Sequence, residues 1–135
     1  MERIFEAKRD NLNEVLEFVE NELLSHGCSM KLIMPINISV EEIFVNIASY
    51  AYEPETGDAV VDVDFVDDDV VITFADTGME FDPLAKADPD VTADAESRDI
   101  GGLGIFMVKK YMDKCEYERK DNTNIFIMRK KVLNV

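Results

Sequence analysis

Apolar residues recur at three- and four-residue spacing in three segments of the chain, a pattern typical of helices that bury one face. The first segment predicts a helix over residues 11–26, with Gly27 as a left-handed stop. We expect the second helix to begin near Pro35, since proline suits a first helical turn, and to end before Glu53. The third follows a glycine-rich segment and carries apolar positions as far as Met112.

Other segments carry the alternating or continuous apolar pattern of strands. Asp67-Asp68 and Asp121-Asn122 supply the turns of two hairpins. The order is strand, two helices, two strands, a lid, a helix and two strands. It predicts an α/β two-layer sandwich (α+β), with a mixed, largely antiparallel sheet and helices on one face. The strand segments are residues 2–7 (an edge strand), 61–65, 70–75, 115–119 and 125–132.

Composition narrows the functional classes. A chain of 135 residues suits a single domain over residues 1–135, and it has no apolar run of the ~20 residues that span a membrane. A formal net charge of −15 disfavours nucleic-acid binding, which needs a basic surface. Cys28 and Cys115 lie far apart without a partner at metal-ligand spacing, so we interpret them as reduced thiols of a cytoplasmic protein.

Few large apolar residues occur between about 84 and 100. A segment of this length without secondary structure inside a compact domain is often a functional lid. It leads into Gly101-Gly102-Leu103-Gly104, where exposed N–H groups at a helix N-terminus could receive an anion. The segment matches neither a Walker loop nor a dinucleotide fingerprint, and alone it could be only a flexible start to a helix.

Glu42 and Asn46 stand four residues apart on the second predicted helix, one turn from each other. A carboxylate and a carboxamide at this spacing could hold a hydrated metal ion and orient a hydroxyl group or a water molecule. The alternative is a capping box that starts at Ser39, in which Glu42 reaches back to the backbone.

A buried strand is followed by Asp76-Thr77-Gly78. The carboxylate could accept a hydrogen bond from a ligand amine at the rim of the sheet, and Gly78 would let the ligand approach the backbone. Two alternatives remain at this point. The tripeptide could be a simple turn, or the apolar-apolar-Asp-Thr-Gly run could be that of a retroviral-type aspartic protease, although such proteases are almost all-β dimers.

Glu-x-x-x-Asn, then Asp-x-Gly, then Gly-Gly-x-Gly, in this order and over almost the whole chain, resembles the GHKL (Bergerat-fold) ATPase superfamily. The run from Asp76 to Pro83 is similar to the bacterial anti-sigma-factor serine/threonine protein kinases. This resemblance implies ATP and Mg²⁺ as cofactors. It also implies two protein partners: a sigma factor, and an antagonist whose serine or threonine receives the γ-phosphate.

The resemblance also implies a role for each motif residue. Asp76 would bind the exocyclic amine of adenine, and Gly78 would let the base lie close. Asn46 would ligate Mg²⁺, and Glu42 would act as the general base. Glycines would wrap the phosphates, an arginine would pair with the transferred phosphate, and a threonine would lie near adenine. These further nucleotide-binding residues are Arg98, Gly101, Gly102, Gly104 and Thr123.

The chain departs from the family pattern at three positions. Glu80 stands where many relatives have a second glycine, and Tyr50 stands where kinase members often have histidine. Asn122 stands where a glycine usually precedes the threonine. A non-catalytic, nucleotide-gated binding module is therefore the alternative to a kinase. A homodimer is also left open.

Overall fold

The computed structural model describes residues 1–85 and 100–135, with side chains from residue 104 onward in the second range. Within these residues, five strands form one sheet in the order β1-β2-β3-β5-β4, and α-helices pack on one face of it. Short helical turns span Arg9–Asn11, Ile47–Ala51 and Pro83–Ala85. The strands are β1 (Glu2–Glu6), β2 (Asp58–Val66), β3 (Asp69–Asp76), β4 (Lys114–Lys120) and β5 (Thr123–Lys131), and the α-helices are α1 (Leu12–Ser25), α2 (Met30–Asn46) and α3 (Ile100–Tyr111).

The predicted order of elements and the two-layer α+β architecture are confirmed. The expectation of a mixed sheet is wrong, because every pair of neighbouring strands in the described residues is antiparallel. Both predicted hairpin turns are present. Asp67, Asp121 and Asn122 have φ values of 56°, 52° and 61°, and aspartate and asparagine tolerate this left-handed conformation better than most residues.

Strand alternation fixes which side chains enter the core. Val70, Ile72 and Phe74 of β3 are fully buried against the helices, and Asp76 continues the same face at the end of the strand. The core surrounds α2, whose Phe44 packs edge-on against Phe5 of β1 with 6.5 Å between ring centroids. A polar residue is thus placed at the rim of an otherwise apolar layer.

Helix α2 begins at Met30, so the prediction of a start near Pro35 is wrong. The Ser29 carbonyl accepts hydrogen bonds from the N–H groups of Leu32 and Ile33, both at 3.0 Å. Burial of Ile33 favours the earlier start, because its side chain belongs to the same apolar stripe as the rest of the helix. Pro35 is accommodated inside the helix, in its second turn.

The capping-box alternative is also wrong. Ser39 lies in the interior of α2 and is fully buried, and its hydroxyl donates to the Pro35 carbonyl at 2.9 Å. Because no helix starts at Ser39, Glu42 has no N-terminus to cap. The carboxylate of Glu42 needs another explanation.

Both cysteines are free thiols. Burial raises the pKa of Cys28, and it raises the pKa of Cys115 to about 11 despite the opposing effect of Lys109. Among residues 1–85 and 100–135, one helical stretch, Met30–Ala51, is long and apolar enough to cross a membrane by length and composition alone. That stretch contains α2, which packs against both α1 and α3 and places an apolar stripe in the core, so burial accounts for much of its apolar character.

We expect Phe44→Ala to lower the free energy of unfolding by about 3–5 kcal/mol, because it removes a fully buried ring from the centre of the core. Ile38→Ala is the control on the same helix. Because Ile38 is 44% exposed, this substitution should lower the free energy of unfolding by much less. Urea denaturation measures both. Equal losses would contradict the assignment of Phe44 to the core centre.

Candidate functional site

An apolar pocket opens where the end of α2 and the turn that follows it meet the ends of β3 and β5. Its walls are mainly apolar and aromatic, including Phe74, Phe81 and Phe126. Asn46 and Asp76 both line it, so the structure brings together polar residues that lie 30 positions apart in the chain. An apolar pocket with a few convergent polar groups is the usual form of a small-molecule site.

Asp76 is 6% exposed and has two hydrogen-bond donors among the described residues. The backbone N–H of Gly78 and the side-chain Nδ2 of Asn124 both donate to its Oδ1, each at 3.0 Å. Within the described part of the chain, Oδ2 therefore remains as an acceptor for a ligand. Such an oxygen, in an apolar pocket, favours a ligand that carries an amino group.

The turn after Asp76 is held against the C-terminal extension of α2. The N–H of Met79 donates to the Ala51 carbonyl at 2.7 Å, and the N–H of Thr77 donates to the Tyr52 hydroxyl at 2.9 Å. A Cβ at Gly78 would overlap that same Ala51 carbonyl. Close approach of two backbone segments therefore requires glycine here, in addition to any role in admitting a ligand.

Residues 47–51 form a π-helical turn directly after α2. Such turns are rare and occur frequently at functional sites. This one contributes Tyr50 and Ala51 to the pocket wall. Tyr50 is 53% exposed, so it lies at the open side of this wall.

Glu42 lies at the contact between α2 and the start of α3. A Cβ at Gly104 would overlap the Glu42 carboxylate, so the absence of a side chain at 104 makes room for this carboxylate. Burial raises the pKa of Glu42, and the neighbouring charge of Glu41 adds to the effect. A partly buried carboxylate with a raised pKa is suited to act as a general base.

Helix α3 begins at Ile100, so Gly101 and Gly102 fall in its first turn, as expected. Backbone N–H groups in a first turn have no partner within the helix and can bind an anion. Arg98 and residues 86–99 of the proposed lid lie outside the described residues. Their roles stay predictions.

The structure does not bring Thr123 to the pocket. Thr123 lies on the opposite face of β5 from Asn124, and its hydroxyl donates to the Asp121 carbonyl at 3.3 Å. The residue beside Asp76 is Asn124, which antiparallel pairing places directly opposite it. Sequence reasoning missed Asn124, although alternation places it on the same face as the apolar residues Phe126 and Met128, and a buried asparagine requires partners.

Oxygen donors in this region fit a magnesium ion. Asn46 supplies a carboxamide oxygen on the pocket wall, and Glu42 lies one helical turn away, about 6 Å along the axis. Mg²⁺ is usually held by one or two protein oxygens together with substrate phosphates and water. No group of three or more histidine, cysteine, aspartate or glutamate side chains that could hold a metal ion occurs within residues 1–85 and 100–135.

The fold and the pocket agree with the GHKL-type domain that the sequence motifs predict. A family model described as the histidine kinase-like ATPase domain matches residues 5–130, and the chain belongs to this family. The resemblance to the GHKL superfamily and its anti-sigma-factor kinases is thereby confirmed. Membership leaves the aspartic-protease alternative without support, because that class is almost entirely β.

The curated relatives include bacterial protein kinases. Serine-protein kinase RsbW of Listeria monocytogenes is 32% identical over 92 residues, which make up 64% of this chain and 59% of the relative. Serine/threonine-protein kinase BtrW of Bordetella bronchiseptica is 24% identical over 112 residues, or 82% of this chain and 79% of the relative. The match thus spans less than two thirds of the Listeria protein.

Solved structures show the same fold. The structure of the RsbU and RsbW domains of Rv1364c from Mycobacterium tuberculosis matches with a TM-score of 0.67 and 14% identity, over 98% of this chain and 32% of that one. The histidine kinase AdeS of Acinetobacter baumannii matches with a TM-score of 0.54 and 12% identity, over 99% of this chain and 68% of that one.

We expect Gly78→Ala to destabilise the folded protein by about 1–3 kcal/mol, because the new methyl group would overlap the Ala51 carbonyl and force the backbone apart. Gly104→Ala is the matched comparison. Its methyl group meets the end of a flexible glutamate side chain, and alanine favours helix, so its cost should be smaller. Thermal unfolding of both variants tests this, and a larger loss for Gly104→Ala would contradict the packing described for Gly78.

Proposed function

We propose that this protein binds Mg-ATP in the pocket and transfers the γ-phosphate to a serine or threonine of an antagonist protein, as an anti-sigma-factor-type regulator. The observation that carries the proposal is the placement of Asp76 and Asn46 on one apolar pocket, with Glu42 packed against the glycine-rich start of α3. This arrangement separates a site for the adenine ring, at Asp76, from a site for phosphate transfer, near Asn46 and Glu42. The kinase names of the relatives support the reaction type.

Within this proposal, each end of the pocket has one task. Oδ2 of Asp76 accepts a hydrogen bond from the adenine amine, and the apolar walls exclude water from the base. Asn46 would hold the magnesium ion, which when bound offsets the negative charge of the phosphates. Glu42 accepts the proton of the attacking hydroxyl, and the first-turn N–H groups at Gly101 and Gly102 face the phosphates.

We further propose that the protein acts in the cytoplasm on a sigma factor and on the antagonist that competes with it. The formal net charge of −15 supports a partner with a basic face, because opposite surface charges speed encounter and suppress wrong pairings. Nucleotide binding does not conflict with this acidity. Backbone N–H groups and the metal ion supply a local positive field.

Nucleotide binding is tested by thermal unfolding with Mg-ADP. At a ligand concentration a hundredfold above Kd, linkage stabilises the folded wild-type protein by about 2.7 kcal/mol. Asp76→Asn should lose most of this stabilisation, because a neutral amide replaces the charged carboxylate that accepts the hydrogen bond from the adenine amine. Asp64→Asn, at an exposed position of β2, should keep it. If Mg-ADP stabilised the Asp76 variant as much as wild type, the assignment of this pocket as the nucleotide site would be refuted.

Phosphotransfer is tested with labelled ATP and a purified antagonist from the same organism. Glu42→Gln should bind nucleotide normally but transfer phosphate about 10²–10⁴-fold more slowly, the usual effect of losing a general base. Asn46→Ala should instead weaken magnesium-dependent nucleotide binding. Glu17→Gln, an exposed glutamate of α1, is the control and should match wild type.

Two results would change the proposal. Wild-type transfer by the Glu42 variant would refute its role as the base. A wild-type protein that binds nucleotide but labels no antagonist would favour the nucleotide-gated binding module, in which Tyr50 replaces the histidine common among kinase members of the superfamily.

A further inference from the structure

Asn124 joins the edge strand of the sheet to the pocket carboxylate. It is 6% exposed, and its Nδ2 donates to Asp76 Oδ1 at 3.0 Å and to the Met79 carbonyl at 2.8 Å. Its Oδ1 accepts from the Tyr117 hydroxyl at 2.6 Å and from the N–H of Phe81 at 3.4 Å. Every hydrogen-bonding group of this buried amide faces a complementary partner.

These partners determine the orientation of the amide. If the side chain turned over, its oxygen would face the Asp76 carboxylate and the Met79 carbonyl, and its NH₂ group would face the N–H of Phe81. Acceptors would then oppose acceptors in a buried place, where an unmade hydrogen bond costs most. The observed orientation keeps a donor permanently on Asp76 Oδ1.

Tyr117 makes the short hydrogen bond that holds the oxygen of the Asn124 amide. It lies on β4, opposite Phe126 of β5, and it also lines the pocket. Burial raises the pKa of Tyr117, Glu80 adds to the effect and Arg119 opposes it, so the hydroxyl keeps its proton at neutral pH. Arg119 also donates to the Gly78 carbonyl at 2.8 Å, which ties the same edge strand to the turn after Asp76.

We propose that Tyr117 is a positioning residue that makes the pocket selective for adenine over guanine, acting through Asn124 on Asp76. The inference rests on the proposed nucleotide binding. With Oδ1 occupied by two N–H donors, Asp76 offers the ligand an acceptor only. The amine of adenine satisfies this acceptor, whereas the ring carbonyl of guanine would place oxygen against oxygen.

Loss of the Tyr117 hydroxyl would leave the Asn124 oxygen with one long hydrogen bond, that from Phe81. The amide could then turn, and Asp76 would lose the donor that holds its carboxylate in place. A carboxylate that can turn aside meets the adenine amine less well and opposes the guanine carbonyl less strongly, so the difference in affinity between the two bases falls.

The experiment measures Kd for Mg-ADP and Mg-GDP by calorimetry for wild type, Tyr117→Phe and Tyr111→Phe. Wild type should prefer ADP by about a hundredfold, the size expected when a buried acceptor meets the wrong partner. Tyr117→Phe should weaken ADP binding about three- to tenfold and reduce the ADP-to-GDP preference about tenfold. Tyr111→Phe removes a hydroxyl from α3, outside the pocket, and should match wild type.

Asn124→Asp is a second variant of nearly identical shape, and it tests the same link if Tyr117→Phe does not fold. It replaces the donor by an oxygen beside Asp76, so the preference for ADP should again fall. A merely structural role for either residue would lower melting temperature without changing the preference.

Folded variants that keep the wild-type preference would overturn the inference while nucleotide binding stands. Equal wild-type affinity for ADP and GDP would overturn it as well. Failure of wild type to bind either nucleotide would remove the proposed function and the inference together.

Discussion

A carboxylate buried at the end of a β-strand is costly unless donors surround it, and the rest of the pocket is arranged to meet this requirement for Asp76. One donor comes from the backbone two residues later, at Gly78, and the other from Asn124 on the neighbouring strand. Antiparallel register places Asn124 directly opposite Asp76. A one-residue slip of β5 would turn Asn124 to the other face and leave the carboxylate short of a donor.

The same requirement explains the turn after β3. Gly78 can donate to Asp76 only if the chain bends sharply, and the bend brings it against the Ala51 carbonyl. That carbonyl belongs to the π-helical turn that extends α2, and it accepts the Met79 N–H. The helix that carries Glu42 and Asn46 is therefore fastened to the strand that carries Asp76 by backbone contacts, which side-chain motion cannot loosen.

Much of this was predictable from the sequence. Periodicity identified the helices and strands, and spacing placed Glu42, Asn46 and Asp76 on the elements where the structure has them. The start of α2 differs from the predicted one because burial of the stripe that includes Ile33 outweighs the preference of proline for a first turn. The capping alternative for Glu42 fails because the spacing from Ser39 is only a local pattern, whereas the residue that Glu42 contacts, Gly104, is 62 residues away.

Contacts between residues far apart in the chain, such as that of Glu42 with Gly104, depend on strand register and on how closely two helices approach. Thr123 and Asn124 differ by one position, and only the pairing of β5 with β3 decides which of them meets Asp76. Composition and motif spacing carry no information on that pairing, although alternation does assign Asn124 to the buried face.

The contact between α2 and α3 bears on the proposed function. Strand pairing and a backbone hydrogen bond hold Asp76, the carboxylate proposed to bind adenine. Glu42, the proposed general base, lies where α2 approaches α3, and a side chain at position 104 would overlap its carboxylate. The space around Glu42 therefore depends on how closely the two helices approach, whereas the position of Asp76 depends on the register of the sheet. Under the proposed function, a change in the approach of α3 would alter phosphate transfer before it altered nucleotide binding, because it would reach Glu42 and leave the strand pairs at Asp76 intact.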